Sequence, residues 1–245
     1  EERALFGGLA GEGFPLLVKL LDAREDLSIQ VHPDDSYARL HENGASGKTE
    51  CWYILDCDPD ATIIIGHHAR SPRQLREMVE GKRWGELLRE VPVRPGDFFQ
   101  IDPGCVHSIR GGTLLLETQQ SSDVTYRFYD YDRLSEGRPR PLHIEESLAV
   151  TQSPFRPREL RPQTRREGDA LVTELVRCPC YTVYRAVLDG RWQRDWDAPF
   201  VNISVLDGRG ALDGTPVERG DHLLLPAGYG TMTLEGRLEL ICSHL

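Results

Sequence analysis

The apolar residues of this 245-residue chain come in runs no longer than a β-strand, and that limits its fold more than any other feature. Ala61–Gly66 and Thr113–Leu116 are among the longest, far short of the roughly 20 residues a membrane-spanning helix needs. Pro15–Leu21, Leu27–His32, Lys48–Leu55, Ala61–Gly66, Asp97–Ile101, Thr113–Gln119 and Val124–Tyr131 favour aliphatic, aromatic or β-branched residues between Gly, Pro and Asp, and read as strands. Helical signals are few. Pro33–His41 suits a short helix, and Ser71-Pro72 reads as an N-cap with proline at the first helical position, leading into Gln74–Val79 and Trp84–Arg89. The expectation is a mainly β protein with a few short helices.

Between Leu134 and Glu167 the composition shifts to Pro139, Pro141, Pro154, Pro157, Pro162 and many arginines, with room for one helix at His143–Val150. Strand patterns resume at Leu171–Leu175, Tyr181–Val187, Val201–Leu206, His222–Leu225 and Arg237–Cys242. The expected organisation is a β domain over residues 1–134, a linker or covering segment over 135–167, and a second β domain over 168–245. The halves repeat one device: Gly96-Asp97, a strand and Pro103-Gly104 in the first, Gly220-Asp221, a strand and Pro226-Ala227-Gly228 in the second. Four residues beyond the proline stands His107 in the first copy and Gly230 in the second, so only the first keeps a side chain there that can ligate or titrate.

Charge and cysteine usage narrow the partners. With 29 Lys and Arg against 39 Asp and Glu the net charge is −10, and the longest basic run is Arg165-Arg166. That excludes a nucleic-acid surface, which needs concentrated positive charge, and requires any anionic ligand to be held by a local site. Cys51, Cys57, Cys105, Cys178, Cys180 and Cys242 lack the spacing of a secreted disulfide framework, so a reducing cytoplasm is expected. The first six residues show no initiator Met and no cationic start followed by an apolar stretch, hence no leader signal is expected.

The chemistry concentrates in three segments. Alternate strand residues share a face, so Ser28, Gln30 and His32 point one way while Ile29 and Val31 point the other. In Gly47–Leu55 the same rule groups Lys48, Glu50 and Trp52. His32, Glu50 and His107 then offer two imidazoles and a carboxylate, with Gln30 as a possible fourth donor, a mixed nitrogen and oxygen set suited to catalytic Zn²⁺ or another divalent ion. A polar stripe on a core-forming strand otherwise incurs a desolvation cost. The third segment, Leu114–Arg133, places Glu117, Gln119 and Arg127 on one parity if its strand is unbroken. His41, His67, His68, His143, His222 and His244 lack a partner at ligand-like spacing and read as surface or core residues, and Cys178-Pro179-Cys180 is one C-x-C without a second pair.

Ser28–Asp35, Lys48–Leu55, Pro103–His107 and Leu115–Arg133 together resemble the type I mannose-6-phosphate isomerases in their short bacterial form, zinc enzymes of the cupin superfamily; the similarity runs from Phe14 to the C-terminus. The resemblance implies a cupin-type double-stranded β-helix, or jelly roll, followed by a second, metal-free cupin-like half. It implies Gln30 and His32 of Q-x-H-P-D, Glu50 of K-x-E-x-W and His107 of P-G-x-x-H as ligands to one Zn²⁺. It makes Arg127 of Y-R-x-Y-D-Y catalytic and places Ser28, Lys48 and Glu117 in the substrate pocket. The family's further N-terminal strands, with their W-G-G motif, have no counterpart in this sequence.

The activity implied is interconversion of mannose 6-phosphate and fructose 6-phosphate through an enediolate, the partner being a small hexose phosphate. A divalent ion would orient the sugar and stabilise the developing oxyanion. Arg127, charged at any working pH, suits the same charge and is a poor base. Glu117, Lys48 and a bound hydroxide all remain open for proton transfer. Two other classes share the triad: a cupin oxygenase holding Fe²⁺ on His32, Glu50 and His107, and a sugar-phosphate-binding cupin without turnover. Lys48, Glu117 and Arg127 favour the isomerase.

Overall fold

The computed structural model describes residues 6–9, 13–135 and 137–245. The first five residues, on which the expectation of no leader signal rests, and Glu136 of the covering segment lie outside these. The chain separates into two compact units, Leu17–Arg158 and Glu159–Leu245, the latter including the described residues up to Leu16.

Nine strands of the first unit form two sheets. One has the order β1 (Leu16–Ala23), β8 (Thr113–Gln120), β3 (Glu50–Cys57), β6 (Phe98–Ile101). The other has the order β5 (Leu88–Pro92), β4 (Thr62–His67), β7 (His107–Ser108), β2 (Ile29–Val31), β9 (Tyr126–Tyr129). The alternation of side chains explains the layers. Trp52, Ile54 and Leu115 from the first sheet meet Ile63 and Ile65 from the second in one buried cluster, the interior of a β-sandwich. On the outer face of the second sheet, Ile29, Val31, Ile64, Val106, Tyr126 and Phe128 pack on Leu75, Met78 and Val79 of the helix Pro72–Glu80 and on Ile144 and Leu148 of the helix Ile144–Val150. The middle of the second sheet is therefore buried on both faces, which is why Thr62–His67 reads as a nearly continuous apolar run while the edge strand Leu88–Pro92 does not.

A short hairpin of β10 (Leu134–Ser135) and β11 (Arg138–Pro139) follows. Among its described residues the second unit holds seven strands: β12 (Gln163–Glu167), β13 (Ala170–Arg177), β14 (Thr182–Asp195), β15 (Phe200–Leu212), β16 (Thr215–Glu218), β17 (His222–Pro226) and β18 (Thr231–His244). They form one sheet of order β12-β13-β14-β18-β15-β16, with β17 on β15. Gly190, Gly236 and Gly210 stand side by side across its three long strands. At Gly210 a Cβ would lie 2.2 Å from the Glu235 carbonyl, so the row marks a corner where backbones approach closely. One face of the sheet gathers Val172, Ala186, Trp192, Val205, Leu234 and Leu240 into a core without a buried charge among its members. The protein is mainly β with cupin architecture.

One local expectation is corrected. The helix at Trp84 ends at Leu87, and Leu88–Pro92 pair with Thr62–His67 instead, because Val91 packs with Ile63 and the sandwich interior and an edge strand tolerates Pro92. The unbroken strand on which the shared parity of Glu117, Gln119 and Arg127 depends is not formed: β8 stops at Gln120 and β9 begins at Tyr126, in line with the two separate strand runs of the sequence. At the end of β8 the Gln119 amide donates to the carbonyls of Gln120 at 2.8 Å and Ser122 at 2.9 Å, closing a turn that carries the chain from the first sheet to the second.

Candidate metal centre

His32, Glu50 and His107 are brought together from three segments, their ligand atoms within 4.8 Å of one another and all three side chains buried. Glu50 opens β3. His32 follows β2, and His107 begins β7 after the Pro103-Gly104 turn. That turn requires its glycine: φ at Gly104 is +83° and a Cβ would meet the Val150 carbonyl at 2.9 Å. The Gly104 N–H donates to the His32 carbonyl at 2.9 Å, so the two histidine-bearing segments are tied together by backbone.

The ring nitrogens have separate tasks. His32 Nδ1 lies 2.8 Å from the Val124 carbonyl and His107 Nδ1 2.9 Å from the Cys105 carbonyl. Donation from Nδ1 leaves each Nε2 as a lone pair. Those lone pairs face the carboxylate, with His32 Nε2 3.5 Å from Oε2 and His107 Nε2 3.3 Å from Oε1 of Glu50. Burial drives both imidazoles towards the neutral form, His107 down to about 3. Burial works to raise the Glu50 pKa but is outweighed by the positive charge beside it, which with both imidazoles neutral is that of the Lys48 ammonium, and the carboxyl is held below the usual carboxylate range. Both Glu50 oxygens are buried and accept no well-directed hydrogen bond among the described residues. An ionised acid, one of whose oxygens is approached by the Lys48 ammonium at 2.6 Å, beside two neutral imidazole lone pairs is the donor set of a divalent cation, so these residues fit a metal.

The other expected residues lie around this cluster. Lys48 Nζ sits 2.6 Å from Glu50 Oε2 and 3.3 Å from His32 Nε2. Gln30 pairs in register with His107. Its amide nitrogen lies 3.2 Å from His107 Nε2 while its oxygen accepts from Ser28 Oγ at 3.2 Å, so a half-turn of the amide would present the oxygen to the ring. Glu117 pairs in register with Trp52, whose indole N–H donates to Oε1 at 3.3 Å. Burial and the Glu50 charge raise the Glu117 pKa against the pull of Lys48 and Lys19. Arg127 pairs in register with Gln30 and so shares its face. Its Nε is buried without a hydrogen-bond partner among the described residues.

Lys19 escaped the sequence reading. Its ammonium contacts Glu117 Oε2 at 2.9 Å and Gln119 Oε1 at 2.5 Å, and it lines a cavity of about 480 Å³ together with Lys48. One lysine on an edge strand carries no local signal of such a role. The six histidines read as bland are engaged elsewhere or exposed: His67 meets the Gln152 carbonyl at 2.9 Å, His222 the Ser204 hydroxyl at 2.9 Å, His41 stacks on Tyr37, and His143 accepts from the Arg127 N–H. His244 packs against Tyr184 and Trp196, and His68 is exposed.

Comparison with known proteins bears on this geometry. A family model for the catalytic domain of phosphomannose isomerase type I matches residues 1–50, and one for the cupin domain of mannose-6-phosphate isomerase matches residues 172–245. The chain is 49% identical over 248 residues to mannose-6-phosphate isomerase ManA of Bacillus subtilis, covering 99% of this chain and 79% of that protein. It is 44% identical over 249 residues to mannose-6-phosphate isomerase of Streptococcus mutans, covering 100% of this chain and 78% of that one. The crystal structure of the mannose 6-phosphate isomerase from Bacillus subtilis aligns with a TM-score of 0.95 at 43% identity, over 99% of this chain and 79% of that one. A variant of phosphomannose isomerase from Salmonella typhimurium shares the fold, with a TM-score of 0.78 at 15% identity over 100% and 83% of the two chains.

Proposed function

The chain belongs to the type I mannose-6-phosphate isomerases, and from that premise we propose that it works as a zinc enzyme interconverting mannose 6-phosphate and fructose 6-phosphate through an enediolate. The observation that carries this reading is the buried convergence of His32, Glu50 and His107. In the proposal these three hold the ion, joined by the Gln30 oxygen. When bound, the ion supplies Lewis-acid polarisation of the sugar oxygens at C1 and C2.

The remaining steps fall to the chain's own residues. A base takes the C2 proton of the open-chain aldose, and the C2–H electrons form the C1–C2 double bond as negative charge gathers on the C1 oxygen. Transfer of the C2 hydroxyl proton to the C1 oxygen and return of the abstracted proton to C1 give the ketose. Glu117, whose raised pKa brings it towards working pH, and Lys48 are the groups placed to move that proton. Arg127 stabilises the oxyanion with a charge that persists at any working pH. Lys48, Ser28 and Glu117 orient the hydroxyls. Family membership sets aside the iron oxygenase and the non-catalytic binder. The proposed setting is the cytoplasm, on the scattered spacing of the six cysteines.

The test measures metal content and mannose 6-phosphate conversion before and after chelation, with zinc added back. Loss and recovery of activity in step with zinc is expected, and an undiminished rate in metal-free protein sinks the metal assignment. Arg127→Ala is expected to fold and retain metal while turnover falls at least about a hundredfold.

A further inference from the structure

After β9 the chain turns back through the hairpin of β10 and β11, where Leu134 pairs with Pro139 and Ser135 with Arg138. The returning segment runs antiparallel beside β9. The His143 N–H donates to the Arg127 carbonyl at 2.9 Å, and the Arg127 N–H donates to His143 Nδ1 at 3.3 Å. Three residues along the chain on either side of that contact stand Asp130 and Arg140, and there the side chains meet. Arg140 donates from Nε to Oδ2 of Asp130 at 2.6 Å and from Nη2 to Oδ1 at 2.5 Å. Arg133 donates from Nη2 to Oδ1 at 2.5 Å and is itself fastened by Nη1 to the Asp26 carbonyl at 2.5 Å. Asp130 is thus saturated, with Oδ2 held by Arg140 alone.

Arg127 stands in contrast. Its Nε is buried and unpartnered, and no carboxylate lies within ion-pair distance of it among the described residues. Three positions along a regular strand would put the two side chains on opposite faces, but β9 bulges against β2, with Arg127 opposite Gln30 and Tyr129 opposite Ile29. The extra residue returns Asp130 to the parity of Arg127, where a bared carboxylate would attract the guanidinium. We infer that Arg140 is a positioning residue: by occupying Oδ2 of Asp130 it keeps that carboxylate from capturing Arg127, whose guanidinium stays free for the substrate. This rests on the reading of Arg127 as the catalytic cation. The three groups do feel one another, because burial and the Arg140 charge lower the Arg127 pKa while Asp130 raises it.

Steady-state isomerisation of mannose 6-phosphate by the zinc-loaded wild type, Arg140→Gln, Asp130→Asn, the double variant, Arg140→Lys and Arg127→Ala tests the inference, with melting temperatures recorded for each. Arg140→Gln bares Oδ2 and is expected to lose about 10–100-fold in kcat with a smaller change in KM. Removing the bared charge repairs the defect, so the double variant recovers to within about threefold of wild type. Arg140→Lys, which keeps a cation at Oδ2, retains most of the turnover even where Arg140→Gln melts early. A double variant no better than Arg140→Gln shows a merely structural clamp and overturns the inference, as does wild-type kcat in Arg140→Gln. Full activity in Arg127→Ala removes the catalytic reading and this inference with it, whereas an inactive Arg127→Ala beside a fully active Arg140→Gln overturns the inference alone.

Discussion

Ile54 on β3 and Val205 on β15 are held by one backbone device in two different units. The Ile54 N–H donates to the Asp97 carbonyl at 2.9 Å and its carbonyl accepts from Gly96 at 2.8 Å; the Val205 N–H donates to the Asp221 carbonyl at 2.9 Å and its carbonyl accepts from Gly220 at 3.0 Å. Behind each, the aspartate closes its own turn, Asp97 accepting from the Arg94 N–H and Asp221 from the Glu218 N–H, both at 2.8 Å. Each strand then bulges directly afterwards, between Ile54 and Asp56 and between Val205 and Asp207. Four residues before the pinned position and on the same face, the first unit has Glu50 and the second has Val201. Both are buried, Glu50 in the ligand cluster and Val201 in the aliphatic core. A scaffold that closes around Val201 has no structural need of a carboxylate at that place. Glu50 is a desolvated charge whose cost an ion offsets.

Exchanging the two residues breaks the comparison at its centre. Glu50→Val is expected to abolish stoichiometric metal binding and to lower turnover at least about a thousandfold, and because it leaves the buried Lys48 ammonium without its carboxylate, stability is compared with a Glu50→Val, Lys48→Met double variant. Normal metal content in Glu50→Val would refute the ligand assignment. Val201→Glu places an acid where nothing compensates it and is expected to destabilise the second unit by about 3 kcal/mol or more, read by chemical denaturation. A neutral outcome would mean that burial there is far wetter than the structure implies.

Titration sharpens the same contrast. In metal-free protein His107, with its pKa down at about 3, refuses the proton that the unfolded chain accepts below its ordinary 6.5. Stability therefore falls as pH drops from about 6.5 towards about 3. His32 is shifted in the same direction. Glu50, held below the ordinary 4.5, adds stability above that value and surrenders it as pH falls through its folded value. All three act with one sign, and at the matching places of the second unit Val201 and Gly230 titrate nothing. The metal-free His107→Ala variant is expected to show an acid limb shallower by up to about 1.4 kcal/mol per pH unit. Urea midpoints measured between pH 7 and pH 4 check this, and an unchanged limb contradicts the neutral, buried state of that imidazole.

The strands of the first unit were legible because β-branched and aromatic runs sit between turn residues, and the cluster of His32, Glu50 and His107 was legible because each occupies a motif with fixed parity to its strand. What escaped depended on contacts distant in sequence. Leu88–Pro92 has mixed propensity and becomes a strand only because Ile63 and Ile64 stand opposite. The full lengths of β14 and β18 were hidden by Gly190 and Gly236, which look like breaks along the chain and face each other across the ladder. Lys19 reaches Glu117 from the other end of the unit. The grouping of Glu117, Gln119 and Arg127 by parity assumed one strand, whereas the chain changes sheets between them. Arg127 nonetheless shares the face of Gln30 from the opposite sheet.

The smallest effect comes from the shared turn itself. Asp97→Ala and Asp221→Ala each remove one side-chain acceptor from a backbone N–H at an exposed turn, a change worth about 1 kcal/mol. The two turns share these hydrogen bonds and differ in that the Arg219 N–H also donates to the Gly208 carbonyl at 3.1 Å where Pro95 has no N–H; neither aspartate takes part in that bond, so the two losses are expected to agree within about 0.5 kcal/mol, each in the unfolding of its own unit. Their effects on catalysis are expected to differ. Asp97 closes the turn that leads through β6 to Pro103-Gly104 and His107, so its loss lets a ligand-bearing segment drift, whereas the strand after Asp221 ends on a glycine. A modest rise in zinc dissociation for Asp97→Ala, with none for Asp221→Ala, is the expected result. Equal zinc affinities in the two variants would show that the His32–Gly104 backbone bond alone fixes the position of His107, and that the turn serves the sheet and not the centre.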